Sequence, residues 1–363
     1  MIPRFLRFAA LALVLAAAGP QSRATTAPTA PAVSTPPLND TARWLAGMDE
    51  ADAGATPLRN QLNSKWSDFV AQRTGPMREF AQRHLSREQQ DCQTLFYPFS
   101  GPDALNAVTL FPNCARYVMF GLEPVGEMPR IAGRTDAQKA AVLADMARAQ
   151  DFILRRNFFV TRYMQTELNT PHLKGVVPLM AAMLVRSGYE LRDVQPLNVD
   201  GTPYDPRSPK APRAVAVDFG RPGQATQRIF YANFDASDDG LKRKPGFLRY
   251  MADVQATVTL LKAASYLMHD PSFSMMRKLV EERSRVIVQD DSGLPFSQLK
   301  GAGFDVELYG NYVGVIPVFR YRFQRDLAQA YAQDAGREPL GFAWSYAPKP
   351  AEQALQIARR RFE

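Results

Sequence analysis

Residues Thr94–Gly126 read TLFYPFSGPDALNAVTLFPNCARYVMFGLEPVG, a series of short apolar runs separated by turns that contain Gly and Pro. The runs Val108–Phe111 and Tyr117–Leu122 predict strands, because strands are short and bounded by turn residues. Neither run alternates cleanly between apolar and polar side chains, so we expect both faces of these strands to be covered. The segment therefore predicts a buried sheet.

Helical patterns lie on both sides of this segment. Residues 40–90 predict a mainly helical N-terminal portion. Apolar residues spaced three and four apart predict the longest helix over Asp136–Asn169, and a second helix runs from Pro178 to Gly188. From Phe247 to Met268 the same spacing repeats so regularly that we expect a central core helix.

The remaining elements include both strands and helices. Val215–Phe219 and Gln227–Phe234 predict a hairpin, Val286–Gln289 and Phe304–Phe323 predict further strands, and Gln324–Asp334 predicts a helix. Helices interleaved with strands, some of them in hairpins, favour a mixed α/β (α+β) fold. We expect a single large domain with long core helices and a mixed sheet that contains hairpins.

The composition excludes several classes of protein. A chain of 363 residues with 46% hydrophobic and 22% charged residues is an ordinary globular protein, not a disordered or fibrous one. Two cysteines and three histidines are too few for a Cys-rich metal module or a His-rich centre. The chain has no dinucleotide fingerprint, P-loop, zinc-protease or haem motif, so we expect no metal and no cofactor.

The N-terminus has the layout of a secretory signal peptide. Arg4 and Arg7 precede the apolar run Phe8–Ala18, which is too short to cross a hydrocarbon core of ~30 Å. Cleavage could follow Ala18, with the small residue Ala16 at −3, or Ala24, with Ser22 at −3, and the second site is favoured. We therefore expect a signal peptide over 1–24, a flexible Thr/Ala/Pro spacer over 25–39, and one α/β domain over 40–363.

These boundaries predict a periplasmic or secreted bacterial protein with no transmembrane anchor after cleavage. Loss of the three arginines in residues 1–24 also reduces the formal charge of +8 by three, so the basic excess says little about partners. The clusters Lys242–Lys244 and Arg359–Arg361 lack interleaved aromatic residues, and we expect no nucleic-acid partner.

Four segments resemble a family of uncharacterised exported bacterial proteins. They are Tyr97–Asp103 (YPFSGPD), Gly121–Gly126 (GLEPVG), Val288–Pro295 (VQDDSGLP) and Tyr309–Tyr312 (YGNY). The resemblance implies export and a bacterial origin. It brings no reaction and no catalytic residue.

Cys92 and Cys114 are the first candidates for a defined chemical role. In an oxidising compartment the pair favours a disulfide, which would stabilise the fold by about 3.4 kcal/mol in the chain-entropy model. Two free buried thiols are one alternative. The other is a Cys92 nucleophile activated by His84.

Four carboxylates are candidates for acid–base catalysis: Asp103, Glu123, Asp290 and Asp291. Two carboxyl groups in different environments can hydrolyse a glycan, one as acid and one as base or nucleophile. The structural alternatives are turn residues for the three aspartates and an ion pair for Glu123. The expected ion-pair partner of Glu123 is Arg116 or one of Arg320, Arg322 and Arg325.

Four residues are candidates for ligand binding: Tyr97, Ser100, Tyr309 and Tyr312. Aromatic faces beside carboxylates suit a glycan or peptide, whereas the alternative is a core strand whose Phe319–Phe323 aromatics share one face. Ser100 lies in a turn-forming segment, and the absence of a G-x-S-x-G motif disfavours a serine hydrolase.

Two functions remain. The sequence favours an exported, envelope-associated ligand-binding or accessory protein whose cleft is formed by the YPFSGPD, GLEP and QDDSG turns. The alternative is a metal-independent hydrolase of an envelope glycan or peptide that uses paired carboxylates. A cleft that gathers the four carboxylates, with one pKa raised by burial, would favour the enzyme.

Overall fold

A nine-stranded sheet organises the computed structural model, which describes residues 36–49, 56–155, 166–255 and 258–361. The strands are β1 Thr94–Tyr97, β2 Arg116–Gly121, β3 Glu190–Leu197, β4 Ala214–Gly220, β5 Gln227–Asn233, β6 Val258–Leu261, β7 Val286–Gln289, β8 Phe304–Gly310 and β9 Ala354–Arg360. Their order is β3-β4-β5-β2-β1-β6-β7-β9-β8. The five central strands, β5, β2, β1, β6 and β7, are parallel to one another. Antiparallel strands extend the sheet on both sides.

Helices connect the strands. They are α1 Pro36–Leu45, α2 Thr56–Phe69, α3 Gly75–His84, α4 Ser86–Gln90, α5 Ala104–Leu110, α6 Asp136–Arg155, α7 Val177–Arg186, α8 Asp238–Arg243, α9 Gly246–Ala252, α10 Ser274–Arg283, α11 Phe296–Gly301 and α12 Arg325–Gln333. Residues Val70–Thr74 form a π-helical turn between α2 and α3. Short 3₁₀ turns cover Ala264–His269, Pro271–Phe273, Pro317–Arg322 and Pro350–Glu352.

The helices cover both faces of the sheet. Leu95 and Tyr97 of β1 point into a core shared with α1–α3 and α5–α7, whereas Phe96 points into a second core shared with α8–α11. A strand buried on both faces is apolar at successive positions, which explains why the central strands lack alternation. The expected mixed α/β fold, with long core helices and a hairpin in a mixed sheet, is confirmed.

The predicted disulfide between Cys92 and Cys114 is present, with the two Cα atoms 4.5 Å apart. It joins the segments that lead into the adjacent strands β1 and β2. Backbone bonds beside it, from Ala115 N to Cys92 O and from Arg116 N to Gln93 O, are both 3.1 Å long. The bridge therefore fixes the start of the parallel pair.

The predicted core helix over Phe247–Met268 is wrong. Helix α9 ends at Ala252, and Val258–Leu261 forms the central strand β6 between β1 and β7. Because β6 is buried on both faces, apolar residues occupy successive positions, and such a run also contains the three- and four-residue spacings that are typical of a helix. The β-branched Val258 and Thr259 were the local signal for a strand.

The predicted strand over Val108–Phe111 is also wrong, because these residues lie in and just after α5, all of whose side chains are buried. The side chain of Asp103 begins this helix by accepting a hydrogen bond from Asn106 N. An element that is apolar on every side has no period that distinguishes a helix from a strand.

Two predicted boundaries change. The strand predicted over Phe304–Phe323 ends at Gly310, and Pro317–Arg322 is a 3₁₀ turn, since proline cannot donate to a sheet ladder. Helix α1 begins at Pro36, inside the predicted spacer. The signal peptide and residues 156–165 of the predicted helix Asp136–Asn169 lie outside the described residues.

Candidate functional site

The carboxyl ends of β1, β2, β6 and β7 meet at one edge of the sheet, because these strands are parallel. From β1 the chain passes through α5 to β2, which is the neighbour of β1 on the side away from β6. From β6 it passes through α10 to β7, which is the neighbour of β6 on the side away from β1. The strand order therefore reverses direction between β1 and β6. In open α/β sheets, ligands bind at such a point, outside the carboxyl ends of the strands.

A cleft of about 510 Å³ opens to solvent at this point. It is lined by residues that end or follow three strands: Tyr97, Phe99, Ser100, Gly101 and Asp103 after β1, Gly121, Leu122 and Glu123 after β2, and Lys262, Ala263, Ala264 and Leu267 after β6. The YPFSGPD and GLEP turns thus share one cleft.

Two residues with left-handed backbone frame the cleft. Phe99 has φ +56° and Ala263 has φ +58°, and they are the non-glycine residues of the described chain with positive φ. Such residues cost ~1–3 kcal/mol each and persist where the surrounding structure holds them, often at functional sites. Ala263 is held by Asp290, whose Oδ2 accepts a 2.7 Å bond from Ala263 N.

Asp103 and Lys262 form a buried ion pair at the back of the cleft. Lys262 Nζ lies 3.0 Å from Asp103 Oδ2, and both side chains are almost fully buried. Tyr97 donates its hydroxyl to the same oxygen at 2.7 Å, and Asn106 donates from N and Nδ2 to Oδ1. Burial, and next the charge of Asp103, raise the pKa of Tyr97 well above its usual value. With its lone pairs occupied, Asp103 holds β1, α5 and the residue after β6 together.

Asp290, directly after β7, is saturated in the same way. Its Oδ1 accepts bonds from Ser292 N at 2.8 Å and Ser292 Oγ at 2.5 Å. Its Oδ2 accepts from Ala263 N and from the Ser345 hydroxyl. Asp290 therefore ties the QDDSG turn to the turn after β6, and so brings it beside the cleft.

Glu123 differs from these two aspartates. Its side chain is 2% exposed, yet within the described residues its carboxylate forms no ion pair and accepts only a long, 3.5 Å bond from Tyr231 Oη. Tyr231 and Asn233 each donate instead to the backbone oxygen of Glu123, at 3.0 Å. Burial, and next the charge of Glu123, raise the pKa of Tyr231, which therefore remains a donor.

Glycine allows the Glu123 carboxylate to lie against the strand ends. A Cβ atom on Gly121 would be 2.4 Å from Glu123 Oε2, and one on Gly101 would be 3.2 Å from the same oxygen. Both contacts are shorter than ordinary van der Waals distances. These glycines therefore permit the close approach that places a carboxylate in the cleft.

The predicted ion-pair partners of Glu123 are wrong. Arg116 begins β2 and Glu123 follows its end, so the six-residue strand separates them. Arg322 pairs with Asp270 at 3.3 Å. Arg320 and Arg325 are exposed and form no ion pair with a described residue.

Asp291 lines a second cavity, of about 320 Å³, on the other side of Asp290. The other residues around it include Tyr266, Tyr312, Ser345, Tyr346 and Glu352. Tyr266 donates its hydroxyl to Asp291 Oδ2. Burial, and next the charge of Asp290, raise the pKa of Asp291 to about 7.

The ligand-binding candidates are divided among three places. Tyr97 and Ser100 line the cleft, and Tyr312 lines the second cavity. Tyr309 lies at neither site: it donates to Glu307 Oε2 at 2.8 Å and packs edge-on against Phe80 in the core. The aromatic pattern in the sequence therefore did not separate core residues from cavity residues.

Sequence reasoning missed three residues of these sites: Lys262, Ala263 and Glu352. The first two were placed inside the predicted core helix, although a lysine directly after the apolar run Val258–Leu261 was a usable signal. Glu352 follows Pro350 in a segment with no pattern. Nothing in the sequence connects it with Asp291.

Comparison with protein-family models, with curated proteins and with solved structures finds no match to this chain. Within the described ranges, no group of three or more His, Cys, Asp or Glu side chains is placed to hold a metal ion. No helix in this part of the chain has the length and apolar character needed to span a bilayer.

Proposed function

We propose that the protein is a ligand-binding protein whose site is the cleft between β1 and β6. More narrowly, it is an exported protein of the bacterial envelope, and its ligand is a glycan or peptide fragment that presents an amine or a hydroxyl group. The observation that carries the proposal is the buried Glu123 carboxylate, which lacks a cation within the described residues.

The electrostatics of the cleft indicate the class of ligand. A buried carboxylate without a partner costs several kcal/mol, and a cationic or hydrogen-donating ligand group would offset this cost. Lys262 is paired with Asp103, so the cleft as a whole is negative. Leu122 and Leu267 at its mouth add apolar contact surface.

Two features support export. The Cys92–Cys114 disulfide is of the kind that persists in oxidising compartments. The N-terminal residues have the layout of a signal peptide. Both agree with the resemblance to exported bacterial proteins.

Thermal unfolding with amine-bearing and acetylated probes tests the ligand class. Glucosamine and a lysine dipeptide should raise the Tm of the wild type more than their N-acetylated forms do. In Glu123→Gln the response to the amines should be lost, because the carboxylate that would pair with them is replaced by a neutral amide. Asp305→Asn, at the opposite edge of the sheet, is the matched control. Equal responses in wild type and Glu123→Gln would contradict the proposal.

The second cavity favours one alternative, a hydrolase of an envelope glycan or peptide. Asp291 has a raised pKa and Glu352 is partly exposed, and two carboxyl groups with such different environments can serve as acid and base. In this alternative Asp291 donates a proton to the leaving group and Glu352 activates a water molecule. Release of fragments from purified envelope by the wild type, abolished in Asp291→Asn and Glu352→Gln, would support it; no release by the wild type would rule it out.

A further inference from the structure

The large hydrophobic side chains that remain exposed in the described chain lie at one edge of the sheet. They are Leu122, Leu267, Val313, Val318, Tyr321 and Phe323, here called the apolar rim. Leu122 follows β2, Leu267 follows β6, and the other four follow β8, which runs parallel to β7. The whole rim is therefore at the carboxyl edge.

Contacts between the turns make this rim one surface. Leu122 and Leu267 line the same cleft. The rings of Tyr266 and Phe319 are 4.4 Å apart, and Arg322 Nη1 donates to His269 O at 2.7 Å. These bonds hold the 3₁₀ turn Pro317–Arg322 against the turn that carries Leu267. An apolar surface concentrated in this way marks an interaction site.

The exposed charges of the part of the rim that follows β8 are mainly positive, whereas Leu122 and Leu267 border the cleft that holds Glu123. Arg320 and Arg325 are exposed and form no ion pair with a described residue, whereas Arg322 is occupied by Asp270. Asp326 is the exposed carboxylate in the same stretch. Val318 and Tyr321, 67% and 70% exposed, therefore alternate with cations in a single short turn.

We propose that the part of the apolar rim that follows β8, from Val313 to Phe323, docks the protein on an anionic phospholipid surface. Aliphatic and aromatic side chains would enter the boundary between headgroups and acyl chains, while Arg320 and Arg325 contact lipid phosphates. Cations interspersed with apolar side chains suit a bilayer interface, where both are satisfied at one depth. This proposal does not depend on a ligand for Glu123.

Cosedimentation with vesicles tests the docking. The wild type should partition at least tenfold more strongly onto phosphatidylcholine vesicles containing phosphatidylglycerol than onto phosphatidylcholine alone, and salt should weaken the binding. The triple variant Val318→Ser/Tyr321→Ser/Phe323→Ser and the double variant Arg320→Glu/Arg325→Glu should each lose at least tenfold. Their circular dichroism should be unchanged, since all five side chains are exposed.

The matched control is Arg87→Glu/Arg285→Glu. It makes the same change of charge at the amino edge of the sheet, on two exposed arginines that precede β1 and β7. Binding by this control should equal that of the wild type. The proposal is wrong if the wild type does not bind anionic vesicles at low salt, or if the triple variant binds them as well as the wild type does. It is also wrong if the triple variant only changes the oligomeric mass in solution, because the rim is then a contact between copies of the chain.

Discussion

Four carboxyl groups that were all candidates for catalysis in the sequence have different surroundings at the carboxyl edge. Asp103 and Asp290 each accept four or more hydrogen bonds and hold turns in place. Glu123 is buried, and its carboxylate accepts one long hydrogen bond. Asp291 accepts a hydrogen bond on one of its oxygens from the hydroxyl of Tyr266. The number of donors around each group therefore separates positioning residues from candidates for ligand binding or chemistry.

The raised pKa of Asp291 predicts a defined dependence of stability on pH. Its folded pKa of about 7 exceeds the unfolded value near 4, so between these values the folded state holds the extra proton. The contribution of this group to the free energy of unfolding is therefore fully present below pH ~4 and decreases as the pH rises to ~7. Asp291→Asn removes the penalty, and should raise the free energy of unfolding by ~1–4 kcal/mol at pH 8 and by about a third of that at pH 5.

Urea unfolding of wild type and variant at both pH values measures this difference. His269 acts in the opposite direction, because burial lowers its pKa to about 4 and stability from it decreases as pH falls below ~6.5. The difference between the two proteins cancels that contribution. A variant that is equally destabilised at pH 5 and pH 8 would show that Asp291 is ionised throughout.

At the scale of elements, the sharp turn from β6 into the 3₁₀ turn Ala264–His269 positions the site. Ala263 adopts φ +58° and ψ −93°, which a residue with a Cβ atom rarely does. Ala263→Gly should therefore stabilise the protein by about 1 kcal/mol. Ala264→Gly, one residue later, should destabilise it by roughly 0.5–1 kcal/mol.

Chemical denaturation of these two variants provides the check. The residues are neighbours of the same type that differ in backbone conformation, and Ala263 is also the more buried of the two. If Ala263→Gly lowers stability as much as Ala264→Gly does, Ala263 is not strained.

The sequence predicted elements well where their environment is asymmetric, and poorly where it is uniform. The hairpin β4–β5 is marked by its turn, and α12 by an apolar stripe on one side. Helix α5 and strand β6 are buried all round, so helical and strand periods fit them equally. The turns after β1, β2 and β7 were expected to converge because each follows a buried run, but Lys262 was hidden by the error over β6.

At the scale of the whole molecule, the two edges of the sheet have different contents. The amino edge carries the disulfide and the ion pairs of Arg359 with Glu88 and Glu307, each 2.7 Å long. The basic cluster Arg359–Arg361 is thus partly used in structure. The carboxyl edge carries the cleft, the second cavity and the apolar rim. The disulfide is at the amino edge, and the solvent-open cleft is at the carboxyl edge.

Reduction of the disulfide should lower the free energy of unfolding by about 3.4 kcal/mol, because the cross-link closes a 22-residue separation in the unfolded chain. Guanidinium unfolding with and without reductant measures the change, and Cys92→Ala/Cys114→Ala should match the reduced protein. An unfolding midpoint that does not respond to reductant would mean that the bridge contributes nothing.

The buried Glu123 carboxylate is proposed to recognise a ligand in the cleft between β1 and β6. Native mass spectrometry of the protein, purified from the periplasm of a bacterium that exports it, tests this most directly. We expect a bound small molecule on the wild type and on Asp305→Asn, and at least a tenfold lower occupancy on Glu123→Gln. The same adduct at the same occupancy on Glu123→Gln, or wild type that carries no adduct, would contradict the claim.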